Sequence, residues 1–164
     1  MPNINRPEYD RSRPRPPGFA ARRMRIGDRL GTELVGCSLW ELPPGEAAYP
    51  YHFHCADEEV VVVLRGRPTL RSPVGRRRLE EGEAVRFEPG EDGAHQLINE
   101  TGEEAAFLSM SNHGTPDMVV YPDSGKIGVG ERRARGGGLK RYFRAEDAVD
   151  YWDGEHAPAA EARR

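Results

Sequence analysis

Turn-forming residues recur along the chain about every eight to twelve residues, and this spacing restricts the possible fold more than any other sequence feature. Turns are predicted at Pro43-Pro44-Gly45, Gly66, Ser72-Pro73-Val74-Gly75, Glu81-Gly82-Glu83, Pro89 to Gly93 and Thr101-Gly102, with short strand-like segments between them. Antiparallel sandwiches and barrels have this spacing, whereas alternating strands and helices need longer segments. The sequence therefore predicts an all-β domain.

The chain divides by composition into three parts. We expect an extended Pro/Arg-rich arm over residues 1–25, a single domain over 26–154 and a frayed tail over 155–164. The arm has few apolar anchors, so it should be ordered only where it lies on the barrel or on a partner subunit. Residues 145–152 are predicted to form a short helix that packs three side chains on the barrel: Val149, Tyr151 and Trp152.

Length and charge exclude several classes of protein. The 164 residues suffice for one core, and the longest apolar run, Val60 to Leu64, is far too short to span a bilayer. The N-terminus lacks the apolar stretch of a signal peptide, so a cytoplasmic location is expected. Cys37 and Cys55 could pair, but free thiols are the expectation in a reducing compartment. The net charge of −3, together with basic runs that lack an aromatic platform or a helix-turn-helix pattern, predicts no nucleic-acid binding.

Three histidines and a carboxylate suggest one metal site. His52 and His54 are two residues apart, so on a strand they share one face while Phe53 takes the other. Glu59 begins the apolar run and can close the site from a neighbouring strand, and His95 follows later in the segment HQLIN. Nitrogen and oxygen donors of this kind suit a divalent first-row metal such as Mn, Fe, Ni, Cu or Zn.

Glu58 competes with Glu59 for the role of the carboxylate ligand. Two successive residues of one regular strand cannot both point inward. The other carboxylate is then expected to face solvent or a salt-bridge partner.

The stretch from Gly45 to Asn99 resembles the two motifs of the cupin superfamily. The first motif, G(X)5HXH(X)3,4E(X)6G, is matched from Gly45 to Gly66 with one extra residue before the first histidine, and its six-residue interval before Gly66 favours Glu59 over Glu58. The second, G(X)5PXG(X)2H(X)3N, is matched more loosely, with one extra residue between proline and histidine and with Pro89-Gly90-Glu91 in place of PxG. Its matching residues are Gly82, Pro89, Gly90, His95 and Asn99.

The resemblance implies a double-stranded β-helix, that is, a jelly-roll barrel, with His52, His54, Glu59 and His95 around one metal. Cupins with such ligands include dioxygenases, oxalate-type decarboxylases and sugar-phosphate isomerases, and they commonly form dimers. We therefore expect a homodimeric metalloenzyme acting on a small molecule. The alternative is a non-catalytic module that binds a small ligand, and a DNA-binding regulator is disfavoured because no helical domain accompanies the barrel.

Further residues are candidates for the pocket around the metal. His113 is a candidate general base near the barrel mouth. An oxygenase would need a mostly apolar and aromatic pocket, whereas a phosphosugar isomerase would need a cation at the mouth, for which Arg65, Arg86 and Lys126 are the candidates. The predicted pocket residues are Trp40, Tyr49, Tyr51, Asn99 and Phe107.

Overall fold

The computed structural model describes residues 1–11, 14–112, 116–131 and 138–156, and this part of the chain consists mainly of antiparallel strands. The strands are β1 Arg22–Arg25, β2 Val35–Leu42, β3 Phe53–His54, β4 Glu59–Arg65, β5 Thr69–Ser72, β6 Gly75–Arg78, β7 Ala84–Phe87, β8 Gln96–Ile98, β9 Ala105–Asn112, β10 Asp117–Tyr121, β11 Lys126–Gly130 and β12 Lys140–Arg144. One α-helix, α1 Ile26–Leu30, and three 3-10 helices at Glu91–Gly93, Pro122–Ser124 and Ala145–Asp147 complete the elements. The all-β prediction is confirmed.

The strands form three antiparallel sheets. The largest has the order β1-β2-β9-β4-β7, the second β12-β11-β10-β3, and the third β6-β5-β8. The short strand β3 pairs with β10, while the flanking His52 forms a separate bridge with His95. The chain around the candidate ligands therefore joins the second sheet to the segment that enters β8.

The core lies between the first and third sheets. Alternating residues of β4, Val61 and Val63, are each 1% exposed, and Phe107 on β9 is fully buried. Leu70 of β5 and Leu97 of β8 pack against them from the third sheet. This alternation of buried and half-buried residues along β4 is the period-2 pattern of a strand with one face in a core.

Gly66 makes the turn between β4 and β5. Its φ of +75° lies in the left-handed region, and a Cβ there would come within 2.8 Å of the Glu104 carbonyl oxygen. Both conditions favour glycine. The reversal predicted at this residue is present.

The N-terminal arm lies along the domain. Residues 22–25, assigned to the arm by composition, form β1 and pair with β2, and Met24 within them is fully buried. Farther out, the Asp10 backbone N–H donates to Arg23 O, and the Tyr9 hydroxyl donates to Glu41 Oε2 at 2.7 Å. Strand β1 was not predicted because three of its four residues are arginines and only Met24 is fully buried.

The C-terminal helix is much shorter than predicted. Within this segment only Ala145–Asp147 form a helix, of the 3-10 type. The prediction that the following side chains pack on the barrel is wrong, because Val149, Tyr151 and Trp152 are 73%, 82% and 71% exposed. A single 3-10 turn does not give the segment an apolar face. Of the predicted tail, residues 157–164 lie outside the described residues.

Candidate metal centre

The backbone brings the two histidine segments together. His52 and His95 exchange backbone hydrogen bonds, with N–O distances of 3.2 and 2.8 Å. The rings of His52 and His54 have centroids 5.1 Å apart, and those of His52 and His95 are 4.9 Å apart. Phe53 packs instead with an apolar cluster on the opposite face. His52 and His54 thus share one face, as the alternation of residues predicts, and His95 lies beside them.

Each imidazole is oriented through its Nδ1 atom. Nδ1 of His52 lies 2.9 Å from the Pro50 carbonyl oxygen, and Nδ1 of His95 lies 2.9 Å from that of Gly93. Nδ1 of His54 lies 2.5 Å from Oδ2 of Asp117, a buried carboxylate. A carbonyl or carboxylate oxygen accepts a hydrogen bond from Nδ1–H, which leaves the lone pair of the neutral ring on Nε2. This is the form in which histidine binds a metal.

Glu59 faces the imidazoles and Glu58 does not. Oε2 of Glu59 lies 3.5 Å from His54 Nε2 and 3.2 Å from His95 Nε2. The carboxylate of Glu58 instead accepts a hydrogen bond from Nε of Arg86 at 2.6 Å, on the exterior of the domain. The structure therefore separates the two carboxylates as strand parity requires.

Burial acts on His52, and the neighbouring histidines act on Glu59, so that each group is in the form that binds a metal. Burial lowers the pKa of His52 to about 3, with a further contribution from the neighbouring His95 and His54. Burial alone would raise the pKa of Glu59, but contact with His95 and the charges of the three histidines outweigh it and lower the pKa to about 2. At neutral pH His52 is an uncharged donor and Glu59 is an anion.

These residues fit a metal ion by their chemistry. His95 is 1% exposed, and its Nε2 atom makes no hydrogen bond, although it lies near the Glu59 carboxylate. A buried polar atom without a hydrogen bond is costly unless it binds something else. One ligand atom each of His52, His54 and Glu59 lie within 4.8 Å of one another. The four side chains could therefore hold one ion.

A cavity of about 270 Å³ opens over these residues. Alternate residues of β10 line it, since Asp117, Val119 and Tyr121 share one face of that strand. Burial raises the pKa of Tyr49 well above its usual range, and the charge of Glu59 adds to the effect, so this phenol stays protonated. The lining residues are Arg23, Trp40, Tyr49, His52, His54, Glu59, Ser109, Asp117, Val119, Tyr121, Gly128, Val129, Gly130, Glu131, Lys140 and Tyr142.

Two of the predicted pocket residues face elsewhere. Asn99 is fully buried, and its amide donates to the carbonyl oxygens of Leu42 and Glu103, so its side chain holds a turn. Tyr51 packs with Phe53, and the Arg71 guanidinium lies 4.1 Å from its ring centroid. The prediction that Tyr51 lines the pocket is wrong. Along the extended chain, Tyr51 and Phe53 point to one side and His52 and His54 point to the other.

The remaining predicted residues lie at or behind the cavity. Trp40 and Tyr49 line it. Phe107 stacks on Trp40 with ring centroids 6.2 Å apart, which supports the pocket wall from the core. His113, the predicted general base, lies outside the described residues.

The cations of the pocket differ from those predicted. Arg65 pairs with Glu41 and Glu104, and Arg86 pairs with Glu58. Lys126 lies over the ring of Tyr121 and is absent from the cavity lining, which instead contains Arg23 and Lys140. From its composition, the segment around Arg23 was predicted to be a solvated arm. Arg23 lies at the site because β1 pairs with β2, and this pairing is not evident from the sequence.

Other residues of the site could not be predicted from sequence, because pairing between distant strands places them at the cavity. Asp117 approaches His54 because β10 pairs with β3. Glu131 and Lys140 flank the hairpin of β11 and β12, where the Glu131 N–H donates to Leu139 O. The one signal available was the alternation of Asp117, Val119 and Tyr121, which marks a single face of a strand.

Comparisons with known proteins agree with this fold. A family model described as "Cupin domain" matches residues 38–111, which include all four candidate ligands. A putative sugar phosphate isomerase from Acidithiobacillus ferrooxidans is 26% identical, with a TM-score of 0.70 and 82% of each chain covered. A sugar phosphate isomerase of the cupin superfamily from Silicibacter pomeroyi is 25% identical, with a TM-score of 0.69 over 81% of this chain and 82% of that one. No curated protein matches.

A third solved structure shares the fold alone. It is a polyketide cyclase from Streptomyces resistomycificus, 24% identical with a TM-score of 0.57 over 71% of this chain and 83% of that chain. The match over residues 38–111 supports a cupin domain in this protein, and the mainly antiparallel strands agree with the jelly-roll fold of its cupin neighbours. In the described part of the chain, no helix has the length and apolar character needed to cross a bilayer.

Proposed function

We propose that this protein is a metal-dependent enzyme that isomerises a small, hydroxylated, anionic substrate of the sugar-phosphate class. The observation that carries the proposal is the composition of the cavity: oriented imidazoles and Glu59 at its buried end, and Arg23 and Lys140 in the same lining. A pocket for an apolar oxygenase substrate would not need these cations. The names of two structural neighbours, both sugar phosphate isomerases, support the same substrate class.

The proposed ligands of the ion are His52, His54, Glu59 and His95. A divalent first-row ion, Mn, Fe, Ni, Cu or Zn, would polarise a carbonyl or hydroxyl oxygen of the substrate. The protein fixes the orientation of the imidazoles through Asp117 and two backbone carbonyls. Such outer contacts decide which ring nitrogen is available.

Other lining residues would bind the substrate and move its proton. Tyr49 remains a neutral phenol and can donate a hydrogen bond to a substrate oxygen. Glu131 is the candidate acid–base group, because an isomerase must take a proton from one carbon and return it to the next. The Glu131 carboxylate lies close to Gly138. A Cβ atom added to Gly138 would lie 2.9 Å from Oε2 of Glu131. Homodimeric assembly and a cytoplasmic location stay predictions.

The test is a proton-exchange assay on the metal-loaded protein. We expect it to interconvert a member of a panel of five- and six-carbon aldose and ketose phosphates and, in deuterium oxide, to introduce deuterium next to the carbonyl carbon. Glu131→Gln should lower kcat by about 100-fold or more, as expected for loss of a general base, with metal content unchanged.

Glu146→Gln is the matched control, since Glu146 is exposed, pairs with Arg144 and does not line the cavity. Its kcat should equal that of the wild type. Absence of turnover and of exchange across the panel would support a non-catalytic ligand-binding module instead. Oxygen consumption with a non-phosphorylated substrate would support an oxygenase.

A further inference from the structure

A second, wider groove adjoins the metal cavity. It has a volume of about 800 Å³ and lies between the N-terminal arm and β12. Four residues line both spaces, so the groove and the cavity are continuous. The shared residues are Arg23, Trp40, Lys140 and Tyr142.

The groove is strongly cationic in a protein of net charge −3. Its lining contains five basic side chains and one acidic one. The acidic residue, Asp10, accepts hydrogen bonds from the backbone N–H of Arg25 and from Nη2 of Arg29. Its charge is therefore already partly compensated by Arg29, outside the groove, and by Arg25, within it. The basic residues are Arg11, Arg15, Arg23, Arg25 and Lys140.

Three of these cations have no carboxylate partner among the described residues: Arg11, Arg15 and Lys140. Arg15 is anchored through Nη1, which donates to the Ala21 carbonyl oxygen at 2.9 Å, a neutral acceptor. This contact orients the guanidinium and leaves its charge uncompensated. Arg23 lies at the junction, 4.8 Å from the centroid of the Trp40 ring. Arginine forks of this kind suit the oxygens of a phosphate.

We infer that the groove between the arm and β12 binds a phosphoryl group of the substrate, while the rest of that substrate reaches the metal cavity. This inference rests on the proposed function for the identity of the substrate, but not for the presence of an anion site. It gives the N-terminal arm a role in substrate binding: Arg11 and Arg15 supply charge from the arm, and Arg23 and Lys140 supply it at the junction.

The test measures binding of inorganic phosphate to the full-length protein by calorimetry. Metal-free and metal-loaded protein are compared, so that phosphate bound to the ion is separated from phosphate bound in the groove. We expect binding to the metal-free protein that weakens as salt rises. In Arg11→Gln/Arg15→Gln the affinity should fall by about tenfold or more, because two charge-assisted contacts are lost.

Three further variants separate charge from folding. Arg67→Gln removes an exposed arginine that pairs with Glu80 outside the groove, so phosphate affinity should be unchanged. Arg15→Lys keeps the charge, and Arg11→Gln alone leaves the contact of Arg15 with Ala21 in place. The intermediate affinities of these single variants would show that loss of the arm's structure does not explain the result.

The failures of the two proposals are distinguishable. Equal phosphate affinity in the wild type and Arg11→Gln/Arg15→Gln, or no binding to the metal-free protein, would overturn the groove assignment and leave the metal centre untouched. Phosphate binding that depends on Arg11 and Arg15 in a protein without isomerase activity would support the groove and refute the proposed reaction.

Discussion

Replacing His95 by alanine is expected to lower metal affinity by about 100-fold or more. Losing even an outer contact of a metal ligand typically costs between about 10- and 100-fold, and His95 is proposed to bind the ion itself. Its Nε2 atom is buried and makes no hydrogen bond, and Oε2 of Glu59, itself a proposed ligand, lies 3.2 Å away. Metal titration of chelator-treated protein, followed by elemental analysis, measures the effect.

Glu58→Ala is the control for this prediction. The carboxylate of Glu58 pairs with Arg86 on the exterior, and exposed pairs contribute little to stability. Metal affinity should remain within about twofold of the wild type. Because His95 stacks on Phe87, with centroids 3.7 Å apart, thermal unfolding of each variant must also be recorded. Equal loss of metal in folded His95→Ala and Glu58→Ala would refute the ligand assignment.

Asp117→Asn is expected to weaken metal binding by about 10- to 100-fold without touching a proposed ligand. The carboxylate of Asp117 accepts a hydrogen bond from Nδ1–H of His54, with a distance of 2.5 Å between Nδ1 and Oδ2. An amide NH₂ at the same place donates to Nδ1 and favours the tautomer with its proton on Nε2, so Nε2 of His54 can no longer bind the metal. Metal affinity measured by competition with a chromophoric chelator reports this change.

Asp123→Asn is the matched control, because Asp123 also forms a charged pair, with Arg71, but does not line the metal cavity. Its metal affinity should be that of the wild type. If Asp117→Asn bound the metal as tightly as the wild type, the orienting role of Asp117 would be wrong. If both variants lost metal equally, a general effect of negative charge would explain the result.

The part of the site that sequence could predict is the part that depends on local spacing. His52 and His54 share a face because side chains alternate along an extended chain, and this rule holds for a strand as short as β3. The choice of Glu59 over Glu58 came from the interval to Gly66. The structure then places Glu59 beside the imidazoles and Glu58 beside Arg86.

The residues that sequence could not place depend on pairing between distant segments. Asp117 reaches His54 across 63 residues of chain, and no local pattern encodes that distance. Arg23 enters the cavity because β1 adds to the edge of β2, although its neighbours in sequence have the composition of a solvated arm. Asn99 matched a motif position but is used to hold a turn. Motif spacing therefore identifies candidate groups, whereas sheet topology decides which of them face the cavity.

The measurement that tests the central claim most directly is the metal content of the protein purified without a polyhistidine tag or chelator, beside the His52→Ala/His95→Ala variant. We predict one divalent first-row ion per chain in the wild type and none in the folded variant. The absence of bound metal in the wild type, even after reconstitution with Mn, Fe, Ni, Cu and Zn, would contradict the account.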